Sequence, residues 1–188
     1  MKVRKPRNLT ELNRAGLLYS RAQEAWLKGR ARSAFRLFLA AARAGEDGAF
    51  GIVAQFYDRG YGVRHDETAA LRWYQLAYQH RRTDSGAANN MGCIWRDRGK
   101  LVRALRWFQR AVELGDADAN LEIAKTYLRR GNTPRARPYL RKTARSPWAT
   151  EQSKQEAGVL LKKMTPKKGE PSGPKGRPRS ASARVRAA

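Results

Sequence analysis

The chain has 188 residues, 41% of them hydrophobic and 30% charged, which is enough for one domain with a core of its own. Forty Lys and Arg against 16 Asp and Glu leave a net charge of +24, pointing to a polyanionic partner or to simple self-repulsion in solution. One cysteine, Cys93, excludes an intrachain disulfide framework, and no stretch approaches the roughly 20 apolar residues of a membrane span.

The first 20 residues are basic and lack the apolar run of a secretory signal, so a cytoplasmic protein is expected. Residues 1–8 read as a basic arm. Asn8, three places before Glu11, has capping-box spacing and predicts a helix over 9–28 that carries Leu12, Leu18, Ala22, Ala25 and Trp26. A second helix covers 31–44 and stops at Gly45. The next pair spans 47–58 and 67–79, separated by Gly60-Tyr61-Gly62-Val63, with Asp66 placed to cap its second member. Pairs over 84–98 and 100–114, then 117–130 and 134–145, are bounded by Gly99, Gly115 and Gly131. Thr133-Pro134 opens the last of these helices, and Pro138 inside it predicts a weakened or kinked turn.

A further amphipathic stretch over 149–163, with Ala157, Val159, Leu160 and Leu161, would cover the open end of the array. Composition breaks after Met164. Residues 165–188 hold four prolines and three glycines, with Val185 the one large aliphatic. That segment cannot bury enough apolar surface to offset its ordering entropy, and a disordered basic tail is expected.

One signature recurs along the chain. Ala70-Leu71-Arg72-Trp73-Tyr74 and Ala104-Leu105-Arg106-Trp107-Phe108 are the clearest copies, Ala34-Phe35-Arg36-Leu37-Phe38 is looser, and an eroded copy begins at Ala136. The leading alanines are separated by 36, 34 and 32 residues, a period that predicts stacked helix pairs. The fold class is therefore all-α: a superhelix, or solenoid, of about four helix pairs over 9–164, with a C-terminal capping helix. Small residues let paired helices approach, and the aromatics three and four places later fill the layer between repeats. On this reading Trp107 is a core residue, and its loss should cost roughly 3–5 kcal/mol.

Met91-Gly92, Trp95, Ala104, Phe108 and Ala111 resemble the tetratricopeptide repeat. Val53-Ala54, Phe56-Tyr57, Gly60, Gly62-Val63, Asp66, Ala70 and Trp73-Tyr74 are similar to the Sel-one-like repeat, a relative with a longer loop, except that Ala54 stands where that family usually has glycine. The resemblance implies that the first helix of each pair lines a concave groove. Carried over by position, it points to Gln55, Asp58, Asn89, Arg96, Lys125 and Arg129 as partner-groove residues. Changing Asn89, Arg96 and Lys125 to alanine is expected to weaken a partner while sparing the fold.

No catalytic constellation is visible. Two histidines and one cysteine fit no zinc-ligand spacing, His65 and His80 read as surface residues, and Cys93 has no evident histidine partner. Gly60-x-Gly62 lacks the third glycine and the strand of a dinucleotide fold. No metal and no cofactor is implied. The preferred function is a non-enzymatic scaffold or adaptor binding a protein or peptide in the groove. The alternative is a nucleic-acid- or anion-binding protein. It would use the basic stretch 125–145, where Arg137, Arg141 and Arg145 recur every four residues, together with Lys167, Lys168, Lys175, Arg177 and Arg179 of the tail.

Overall fold

The computed structural model describes residues 8–80 and 84–164. The tail 165–188, with its five candidate anion-binding residues, lies outside the described residues, as does the basic arm apart from Asn8. Among the described residues there are helices and no strands: α1 (Leu9–Leu27), α2 (Ala31–Arg43), α3 (Gly48–Arg59), α4 (Glu67–His80), α5 (Ser85–Asp97), α6 (Leu101–Glu113), α7 (Ala119–Arg129), α8 (Thr133–Arg145) and α9 (Glu151–Lys163). They pack as hairpins, α1 on α2 through α7 on α8, each pair stacking on the next, and α9 closes the end against α8.

Local chemistry sets the helix starts. The Asn8 side chain accepts the Glu11 N–H at 2.9 Å, and Asp66 accepts both Thr68 and Ala69 N–H at 2.9 Å. Asp84 caps α5 through the Ala87 N–H at 2.8 Å. In the fourth pair α8 opens at Thr133, as expected, and Asn132 caps it by accepting the Arg135 N–H at 3.1 Å. Pro134 then sits in the first turn, where its missing donor has no intrahelical partner to lose. Pro138 interrupts one backbone bond, yet α8 runs unbroken across it.

The leading alanines Ala34, Ala70, Ala104 and Ala136 are all fully buried. The side chains four places later, Phe38, Tyr74, Phe108 and Leu140, are buried as well. A step of four returns to nearly the same helical face, so this pair of positions holds each repeat against its neighbour. The position three places later is different. Trp73 is buried against Phe50, but Trp107 is only partly buried and meets Tyr78 edge-to-face at 5.4 Å. The expectation of a core Trp107 is thus corrected: three residues on, the ring swings to the margin of the layer.

The ends also depart from expectation. Helix α1 buries Ala15, Ala22 and Ala25, while Leu12 and Trp26 remain 47% and 42% exposed. Helix α9 buries Ala157 and packs Leu160 and Leu161 against Leu121 and Leu140, leaving Val159 half exposed. Between α3 and α4, Gly62 has φ +63°, and a methyl group there would lie 2.5 Å from the backbone of Ala31 and Arg32. The long loop of the second repeat is therefore pressed onto the start of α2, and glycine alone permits that approach.

Candidate functional site

The six groove residues lie on α3, α5 and α7, and the structure divides them. Gln55 is exposed at the rim of a cavity of about 200 Å³ between α3 and α5, lined also by Asp47, Ile52, Tyr74, Asp84 and Asn90. Among the described residues no Lys or Arg lines it. Asp58, one turn on, accepts the Tyr74 hydroxyl at 3.3 Å. Burial pushes the Asp58 carboxyl above its ordinary range, against the pull of Arg59 and the Tyr74 bond.

The other end is internally paired. Arg96 of α5 donates to Glu122 of α7, and both side chains are only 18% exposed. Lys125 reaches Glu122 at 3.1 Å and Glu156 of α9 at 2.8 Å. Arg129 bonds the Arg96 carbonyl at 3.2 Å and approaches Asp97 at 3.5 Å. Arg96 and Arg129 therefore tie α5 to α7, and Lys125 ties α7 to α9, so the triple alanine change would remove the Arg96 and Lys125 ion pairs as well as any groove contact. Asn89 is half-buried, with its Oδ1 lacking a hydrogen-bond partner. Sequence reasoning missed Asp97, Glu122 and Glu156. The spacing of Glu122 and Lys125 hinted at one bond, but the bonds between repeats left no local mark.

The basic stretch also divides. Arg137 is half-buried and donates to the Met164 carbonyl at 3.0 Å, closing the C-terminus of α9, whereas Arg141 and Arg145 are exposed. Charge is sorted by helix. The second helices carry Arg32, Arg36 and Arg43 on α2, Arg72 on α4, Arg103, Arg106 and Arg110 on α6, and Arg135, Arg137, Arg141, Lys142 and Arg145 on α8, opposed by Glu67 and Glu113 alone. On the first helices α1, α3, α5 and α7 acids and bases nearly balance.

Catalytic chemistry finds little support in the geometry. His80 Nδ1 lies 3.3 Å from Asp47 Oδ1 and edge-on to Phe50. His65 lines a separate cavity beside Arg64 and Arg98. Burial pushes the Cys93 thiol up to about 11, so it stays protonated at neutral pH. Among the described residues no group of His, Cys, Asp and Glu is placed to hold a metal ion, and no helix is long and apolar enough to cross a membrane.

The Sel1 repeat family matches residues 30–46 and 52–80, and the tetratricopeptide repeat matches 86–115. The chain carries Sel1 and tetratricopeptide repeats in its helical array. Solved structures agree on the fold of this repeat protein. The Sel1 repeat protein from Oxalobacter formigenes is 24% identical with a TM-score of 0.59, over 78% of this chain and 62% of that one. The chain thus spans under two thirds of that protein's length. MamA is 16% identical with a TM-score of 0.60, over 82% and 79% of the two chains. YrrB, a TPR protein with an unusual peptide-binding site, is 23% identical with a TM-score of 0.61, over 80% and 75%. No curated protein matches the chain. Among the Sel1 and tetratricopeptide families, scaffolds without enzymatic activity are the rule.

Proposed function

We propose that the repeat protein is a non-enzymatic scaffold that holds a protein or peptide segment along its first helices. The observation that carries this reading is the polar cavity at Gln55. It is bounded by Asp47 and Asp84 and, among the described residues, is lined by no Lys or Arg, in a chain whose net charge is +24. A peptide amide or a cationic side chain would find acceptors there in Asp47, Gln55 and Asp84. The likeness to YrrB, which has a peptide-binding site, supports the same reading. Cys93, held as a thiol, suits the reducing cytoplasm. A photo-crosslinking residue at Gln55 should capture a partner that the same residue at exposed Gln109 on α6 does not. Equal capture at both positions, or capture at Gln109 alone, would overturn the groove assignment.

Charge sorting favours a second reading, in which the second helices bind a polyanion, with Arg141 and Arg145 on α8 and the tail lysines and arginines contributing. Binding of a labelled oligonucleotide should then fall steeply with salt, because phosphate contacts release counterions. The absence of binding at low salt would remove this second reading.

A further inference from the structure

Trp107, displaced from the core, lines a cavity of about 400 Å³ with Tyr78 of α4 and Arg103, Arg106 and Arg110 of α6. That volume falls in the range of small-molecule sites. The three arginines follow spacings of three and four residues, which puts them on one face of α6, and all three are exposed. Arg110 is oriented: it donates to the Tyr78 hydroxyl, lies over that ring at 5.8 Å and reaches Glu113 at 2.9 Å. Arg103 lies over the Trp95 ring at 4.8 Å. Among the described residues neither Arg103 nor Arg106 has a carboxylate partner within ion-pair distance. The cavity thus combines aromatic surface, one anchored arginine and two uncompensated ones.

A second observation sets the class of ligand. Arg36, Arg72 and Arg106 each stand two residues after the leading alanine of their repeat, and all are exposed. Equivalent positions in stacked repeats form a row across the array, so a basic row runs over α2, α4 and α6 to the cavity. A lone phosphorylated side chain would engage the cavity and leave this row unused. An extended polyanion engages both, and aromatic rings beside arginines suit one whose bases are unpaired.

We propose that the cavity takes one base of a single-stranded nucleic acid. Trp107 and Tyr78 contact the base, Arg103 and Arg106 contact flanking phosphates, and Arg36 and Arg72 carry the backbone onward. This rests on the reading of the second helices as a polyanion surface and adds to it a built site with a preference for exposed bases. It is independent of the groove.

The test titrates the full chain with a labelled oligouridylate of about twelve nucleotides, within the usual span of single-strand sites. An abasic strand of equal length and charge, a duplex and a phosphotyrosine peptide are compared. The base-bearing single strand should bind about tenfold more tightly than the abasic one, the scale of a stacked base. Trp107→Leu, which keeps an apolar side chain against Tyr78, should abolish that difference while leaving the salt dependence unchanged. Arg106→Glu, at an exposed position, should weaken both strands and flatten their salt dependence. Equal affinity for abasic and base-bearing strands would overturn the base site and leave the polyanion reading of the second helices standing. A tenfold preference that survives Trp107→Leu would likewise overturn the base site, and preferential binding of the phosphopeptide or duplex would do the same. No binding of any strand at low salt would remove both.

Discussion

Gly92 on α5 and Phe108 on α6 stand so close that a methyl group on Gly92 would lie 2.5 Å from two carbons of the Phe108 ring. Phe108 is fully buried in the same layer as Ala104 and Ile123, so the ring has nowhere to retreat. Gly92→Ala is therefore expected to destabilise the protein by about 1–3 kcal/mol, despite the better helix propensity of alanine. Urea denaturation of the two proteins checks this. A stabilised variant would show that the two helices can part without cost.

The neighbouring aromatics should differ in weight. Phe108→Ala removes a fully buried ring and should cost roughly 3–5 kcal/mol. Trp107→Ala removes a ring at the margin and should cost only about 1–2 kcal/mol, part of it the edge-to-face contact with Tyr78. Denaturation midpoints in the reverse order would place Trp107 in the core after all.

Glu122 accepts from both Arg96 and Lys125, so a single change tests the bridge between α5 and α7. Glu122→Gln keeps the shape and removes the charge, leaving half-buried Arg96 with Asp97, at 3.3 Å, as its remaining carboxylate. A loss of roughly 1.5–3 kcal/mol is expected, the scale of a hydrogen bond to a charged group. Backbone hydrogen exchange should rise in α5 and α7 more than in α1 and α2. A uniform change along the chain would contradict a local bridge.

Alkaline pH should weaken the fold. Burial raises the Cys93 thiol from its ordinary value near 9 up to about 11, and burial with Asp58 nearby raises the Tyr74 phenol. Below pH 9 the thiol is protonated folded or unfolded, and its contribution is fully present. Between about pH 9 and 11 the unfolded chain ionises first, so stability is lost as pH rises. The Cys93 share is at most about 2–3 kcal/mol. Melting temperatures of Cys93→Ala should fall less steeply than those of the wild-type protein across that window. Parallel curves would rule the thiol out as a source of the slope.

The sequence by itself determined the helices, their ends and the repeat. Asn8, Asp66 and the glycines after helices act through a few neighbouring residues, and the Ala-x-x-x-aromatic spacing marks one face of one helix. Helical pattern is local, so it is written in the order of residues. Tertiary structure alone decided what those residues do. Whether Arg96 faces a partner or Glu122, or Arg137 faces solvent or the Met164 carbonyl, depends on the rotation between stacked helices, and bonds across 26 or 27 residues leave no periodic trace. The same rotation turned Trp107 out of the core and set it beside Tyr78, while the equivalent Trp73 stayed inside. Identical motif positions acquired different surroundings because each repeat meets different neighbours, and only the packed array supplies them.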